Sequence, residues 1–161
     1  MELLSKDFAV DAKRWLPKEE VGLRYKEKCP MESSYNTKTA AICGLFCEIC
    51  PQYPTHCEGC LSDNPAPHCV NCKPGFRNCA RKKGVIRCFE CNTFPCERLE
   101  KFKHAHIVNG ISHHETIVED LQYMKDFGEE KWIIRKREEN RCSKCGSLIL
   151  WHEKNTHICR M

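Results

Sequence analysis

Between about residue 96 and residue 140 the apolar positions recur with helical period, and elsewhere along the chain they do not. Leu99 and Phe102 fall on one face behind Pro95, which predicts a short helix with Pro95 in its first turn. The run "SHHETIVEDLQYMKDFG" pairs Ser112 with Glu115 as a capping box, carries an apolar stripe of Ile117, Leu121 and Met124, and meets a C-terminal stop at Gly128. "EEKWIIRKREEN" predicts a second helix, with Trp132 and Ile133 on the buried side and Lys136 snorkelling at its edge. Together the two predict a helical hairpin lying against the rest of the chain.

The remaining segments show no such period. From Cys43 to Cys96 the chain is interrupted by Pro51, Pro54, Pro65, Pro67, Pro74 and Pro95, and it has too few periodic apolar residues to fold on burial alone. At the C-terminus, "SLILW" reads as a strand. At the N-terminus, "DFAVDAKRWLPKEE" predicts a short amphipathic helix ended by Pro17, and "KEKCPMESSYNTKT" an arm or linker. The expected division is an arm over 1–38, a cysteine-rich domain over 39–100, a helical hairpin over 101–140 and a terminal module over 141–161.

Composition changes this picture through its cysteines. There are fifteen in 161 residues, and eleven of them lie between Cys43 and Cys96. Charged residues make up 30% of the chain, and no apolar run approaches the roughly 18 residues of a membrane span, so no membrane association is expected. The first residues are broken by charges before an exported leader could form, which predicts a cytoplasmic protein. In that compartment thiols stay reduced, so thiolates bound to metal are expected instead of disulfides. A net charge of +4 names no partner. Arg81, Lys82, Lys83 and Arg87, and separately Arg135, Lys136 and Arg137, form basic patches that either contact a partner or are simply solvated.

A C-x2-C turn aims two sulfurs at one ion while the following backbone N–H groups bond to the thiolates, and two such pairs complete a tetrahedron. Five pairs are present: Cys47/Cys50, Cys57/Cys60, Cys69/Cys72, Cys88/Cys91 and Cys142/Cys145. Cys43, Cys79, Cys96 and Cys159 serve as single ligands, and Cys29 stands alone as a free thiol. In the terminal segment Cys142, Cys145 and Cys159 need a fourth donor, which is assigned to His157 with His152 as the alternative. The eleven central cysteines make two four-sulfur sites with three left over. His56 or His68, a bridging thiolate, or an iron–sulfur cluster with one iron free would complete the third. The ligand count predicts about three to four zinc ions. Segments of this kind depend on metal for folding, since structural zinc contributes about 10–16 kcal/mol in small modules.

Cys43, Cys47 and Cys50 have the C-x3-C-x2-C spacing of radical-SAM enzymes, but the chain lacks the length and the strand–helix alternation of the barrel that encloses the cofactor. Glu119, Asp120, His113 and His114 do not support a hydrolase, because the two histidines are expected in the first turn of a helix, facing solvent.

With these motifs in place, the sequence resembles the cysteine-rich family catalogued as domain of unknown function 3795, found in bacteria and archaea. The resemblance rests on "ICGLFCEICP" at 42–51, "CEGC" at 57–60, "NCARKKGVIRCFECNTFPCERLEKF" at 78–102, and "LQYMKDFGEEKWI" leading into "CSKCGSLILW". It spans about residues 40 to 160. It implies a zinc-binding protein with no transferable activity. It matches Cys43, Cys47, Cys50, Cys60, Cys79, Cys88, Cys91 and Cys96 to the recurring cysteines, and Cys142 with Cys145 to the terminal ribbon. The chain departs from that pattern where Thr156 stands in place of a closing cysteine three residues before Cys159.

The expected fold is thus a small metal-stabilised α+β protein: a cysteine-rich loop domain with zinc knuckles, a helical hairpin and a zinc-ribbon-like C-terminal module. The expected role is a structural-zinc binding or adaptor module with a protein partner, and not an enzyme. An iron–sulfur or redox protein using Cys43, Cys47 and Cys50 is the alternative, and a nucleic-acid-binding zinc protein the further one. Aromatic residues are not interleaved with the basic ones as a base-stacking surface requires.

Overall fold

The computed structural model describes residues 35–159. The helix expected before Pro17, and Cys29, lie outside them. Tyr35–Met161 form one compact unit. The elements in chain order are α1 (Pro67–Asn71), α2 (Phe76–Lys83), α3 (Glu97–Lys103), β1 (Ile107–Val108), β2 (Ile111–Ser112), α4 (Ile117–Phe127) and α5 (Glu129–Glu139). Single 3-10 turns stand at Thr37–Thr39, Cys47–Ile49, Cys88–Glu90 and Trp151–Glu153.

The helical hairpin supplies much of the buried core among the described residues. Ile117, Leu121 and Met124 of α4 and Trp132 and Ile133 of α5 are all buried, as their spacing predicts. Gly128 alone joins the two helices, closing α4 and opening α5 at a φ of 92°. The hairpin packs on the cysteine-rich part: α4 meets the Cys88–Glu90 turn and α3, and α5 meets the Thr37–Thr39 turn. Phe46 stands edge-on to Trp132 with ring centroids 5.5 Å apart, joining the first cysteine loop to α5. Gly44 makes the close approach possible, since a Cβ there would lie 2.7 Å from the Ile117 carbonyl oxygen at a φ of 91°.

Buried polar groups fix the register of these contacts. Asp120 accepts hydrogen bonds from Trp132 Nε1 at 2.9 Å and Thr116 Oγ1 at 2.7 Å, and pairs with Lys136 at 3.2 Å. Lys136 therefore runs its stem along the buried face and ends on a carboxylate at the hairpin's edge. The other two basic residues of that stretch are also paired, Arg135 with Glu139 and Arg137 with Glu48.

Four expectations are corrected. Pro95 lies outside α3, because Cys96 is extended and takes the N-cap position. Ser112 does not cap α4: it pairs with Ile107 in a two-stranded hairpin, and the helix starts four residues beyond His113. The Asn109–Gly110 turn explains why, since both residues have positive φ, 52° and 74°, as a tight hairpin loop demands. "SLILW" is not a strand. Only one antiparallel bridge forms, Arg141 with Leu148, before the chain coils into the Trp151–Glu153 turn. Arg87 is no member of a surface patch. It is 2% exposed, donating to the Thr37 carbonyl at 3.0 Å and pairing with Glu129 at 2.8 Å.

Candidate metal centres

The terminal segment gathers the clearest set of donors. A tight loop returns the Gly146 N–H to the Cys142 carbonyl at 2.9 Å and the Cys142 N–H to the Ser147 carbonyl at 2.8 Å, so both knuckle sulfurs face one side. The turn at Trp151–Glu153 then brings His157 and Cys159 back. The ligand atoms of Cys142, Cys145, His157 and Cys159 all lie within 4.8 Å of one another. Cys142 Sγ is 3.6 Å from Cys159 Sγ, and Cys145 Sγ is 3.4 Å from His157 Nε2. A tetrahedral ion with the bond lengths of zinc needs an S–S edge of about 3.8 Å and an S–N edge of about 3.5 Å. Those two edges stand close to that spacing, and the other four lie within 4.8 Å.

Local electrostatics suit metal binding at this end. Hydrogen bonds from the Ser147 backbone and hydroxyl, and the contact with His157, lower Cys145 to about 6. Backbone groups of Cys145 and Lys144 lower Cys142 as well. Cys159, sharing its proton with those two, is raised to about 11, and an ion's charge would be needed to release it.

A second set lines a cavity of about 240 Å³ between α2, the Cys88–Glu90 turn and α3. Its wall includes Cys79, Cys88, Cys91 and Cys96. Burial and then the charges of Cys96, Cys79 and Cys91 raise Cys88 to about 12, so these three thiols lie near Cys88. Cys91 is the exception in this set, lowered to about 7 by Thr93 and then Lys83, whose Nζ lies 3.3 Å from its sulfur. Deprotonating several thiols around one space would set negative charges against one another, and a divalent ion would relieve that repulsion.

The other seven central cysteines crowd along the first loops. Burial, with Cys60 the foremost charged neighbour, raises both Cys43 and Cys47. Cys69 is pushed up to about 12 by burial and then by Cys60 and Cys57. The Cys60 N–H donates to Cys47 Sγ at 3.4 Å, and the Gly59 and Ala66 N–H groups donate to Cys57 Sγ at 3.4 and 3.3 Å. Such N–H···S bonds are what a knuckle supplies to a thiolate. Arg77 binds the Cys60 and Cys69 carbonyls at 2.5 and 3.2 Å and reaches Cys60 Sγ at 3.7 Å, tying two knuckles together. No three of the eleven central sulfurs converge as closely as the terminal donors do. His56 and His68 join no donor group among the described residues.

The histidines expected in solvent are elsewhere. His114 is buried, His113 is half-buried, and neither is in α4. With His106 they form a second group whose ring nitrogens lie within 4.8 Å of one another. The helical reading of 96–140 concealed this group. The signal that exposes it is the Asn109–Gly110 pair flanked by apolar residues.

A family model described as a protein of unknown function (DUF3795) matches residues 54–101. That stretch holds Cys57, Cys60, Cys69, Cys72, Cys79, Cys88, Cys91 and Cys96, and it leaves out the first triplet and the terminal donors. No curated protein matches the chain, and no solved structure does. Among the described residues no helix is long and apolar enough to cross a membrane.

Proposed function

Starting from membership of this family of unknown function, which the match over residues 54–101 supports, we propose that the chain is a structural-zinc protein. Zinc holds its cysteine loops as a scaffold for binding a protein partner. The observation that carries this reading is the convergence of Cys142, Cys145, His157 and Cys159. Three sulfurs and one imidazole complete a tetrahedron and leave no position for a substrate, which is the mark of a structural site. Cys79, Cys88, Cys91 and Cys96 form the second ion's ligands on this reading, and the seven remaining central cysteines hold one or two more. The terminal module then closes as a zinc ribbon, with His157 and not His152 as its fourth donor.

The charge distribution favours a protein partner over nucleic acid. Arg135, Lys136 and Arg137 are engaged by Glu139, Asp120 and Glu48, and Arg87 is buried. That leaves the exposed Arg81, Lys82 and Lys83 of the two basic stretches to meet phosphates, whose neutralisation dominates nucleic-acid affinity, and three cations make a small footprint.

The test is metal content and the visible spectrum of protein purified without oxygen. Colourless protein holding zinc alone, with one equivalent lost in Cys142→Ser, is the expected result. Brown protein containing iron and sulfide would replace this reading with an iron–sulfur cluster at Cys43, Cys47 and Cys50.

A further inference from the structure

The hairpin β1–β2 does more than connect α3 to α4. Its register pairs Ile107 with Ser112, so the residues just beyond, His106 and His113, leave the two strands side by side. His114 follows directly, and the ring nitrogens of all three lie within 4.8 Å of one another. His106 holds this position at a φ of 61°, a left-handed conformation uncommon for a side-chain-bearing residue.

Each ring is positioned from a different part of the fold. A carbonyl oxygen only accepts, so at 3.1 Å from the Phe102 carbonyl His114 Nδ1 carries the proton, leaving Nε2 with its lone pair. A backbone carbonyl on one ring nitrogen is the arrangement that fixes the tautomer of a metal-binding histidine. Phe102 also stacks on the His114 ring with centroids 3.9 Å apart, and Trp151 stacks on His113 at 4.1 Å with the planes inclined by 17°. His113 Nδ1 is buried and has no hydrogen-bond partner. A buried polar atom without a partner is costly, and a ligand or ion there would satisfy it.

We propose that His106, His113 and His114 bind one divalent transition-metal ion through three imidazole nitrogens, with a fourth position open to water or a small anion. Three neutral nitrogen donors leave the ion's double positive charge uncompensated, unlike the thiolate sets elsewhere in the chain. Such an ion acts as a Lewis acid and attracts an anionic ligand. Room for one exists beside it: His113 forms part of the wall of a cavity of about 110 Å³ shared with Ser112, Thr116, Lys136 and Trp151. Ser112 Oγ is buried there without a partner and is available to hold the bound water or anion. A tetrahedral ion requires nitrogen–nitrogen edges of about 3.3 Å, shorter than the 4.8 Å within which these nitrogens lie, so binding draws the rings together.

The experiment dialyses the zinc-loaded full chain briefly against a mild chelator, so that zinc stays only in the thiolate sites, then adds Co²⁺ without oxygen and follows the visible spectrum and binding stoichiometry. One further ion with d–d bands and no thiolate-to-cobalt charge transfer is the expected result. Azide, added as the probe for the open position, shifts those bands. His106→Gln weakens the binding at least about tenfold. Because His106 is exposed, this variant keeps the parent's melting temperature, and His104→Gln, at an exposed histidine outside the group, binds like the parent. Absence of a further ion, thiolate charge-transfer bands, or undiminished affinity in His106→Gln would each overturn the site. Bands indifferent to azide would overturn its open position.

Discussion

Arg137 of α5 grips Glu48 with two parallel hydrogen bonds of 2.7 and 2.9 Å, across 89 residues of sequence. Glu48 sits inside the Cys47/Cys50 knuckle, is buried, and also accepts from Thr39 Oγ1 at 3.1 Å. A guanidinium fork on a carboxylate is among the stronger polar contacts a protein makes. This one fastens the first cysteine loop to the hairpin. Arg137→Lys keeps the charge and loses the fork, and is expected to cost about 1.5–3 kcal/mol. Denaturant unfolding of the metal-loaded protein measures it. An unchanged midpoint would show that the knuckle is held by its metal alone.

Asp120 offers a second check on the hairpin. Asp120→Leu leaves the indole N–H of the fully buried Trp132 without an acceptor and strips Lys136 of a partner. The expected loss is about 1–3 kcal/mol for the unsatisfied donor. Asp120→Asn retains an acceptor for the indole and is expected to lose less. Thermal melts of the two variants should fall in that order.

Gly44 is expected to refuse any side chain. In Gly44→Ala the new Cβ would meet the Ile117 carbonyl at 2.7 Å and Leu121 Cγ at 2.9 Å. The left-handed backbone alone costs about 1–2 kcal/mol for such a residue, and the clash adds to it. A drop in melting temperature with unchanged metal content at the terminal donors is the outcome to look for.

The two histidines near the terminal knuckle separate cleanly. His157 lies 3.4 Å from Cys145 Sγ, whereas His152 belongs to no donor group among the described residues. His157→Gln should release one equivalent of metal, and His152→Gln none, by elemental analysis after dialysis.

Thiol reactivity after chelation tests whether the cysteine loops keep their fold without metal; where they do, it follows local electrostatics. Cys145, lowered to about 6, and Cys91, lowered to about 7, carry thiolate at neutral pH, while Cys69 and Cys88, both raised to about 12, remain protonated thiols. A short pulse of iodoacetamide is expected to label Cys145 and Cys91 first, as read by peptide mass spectrometry. In urea the order should vanish, because the neighbours that create it are dispersed.

Much of this was legible one element at a time. Ile117, Leu121, Met124, Trp132 and Ile133 declared their burial through period, and Cys142, Cys145, His157 and Cys159 declared their grouping through short loops. Local signals failed where two of them competed. Ser112 and Glu115 fit a helix cap, but Asn109–Gly110 two residues upstream fits a hairpin, and the hairpin prevails because its strands carry Ser112 into a pairing with Ile107. The three histidines became visible only once that competition was decided.

What the sequence by itself determined is therefore a set of pieces: the helices around Leu99, Leu121 and Trp132, the turns that present pairs of sulfur, and the terminal donors close enough in the chain to share an ion, but not α1 and α2 inside the cysteine-rich stretch. Tertiary structure alone decided that Arg87 is buried against Glu129, that Arg137 secures Glu48, and that Phe102 and Trp151 press the histidine rings together. The physical reason is range. Period, spacing and turn chemistry act over a few residues, while burial and ion pairing depend on which distant surfaces meet, and no local pattern records that.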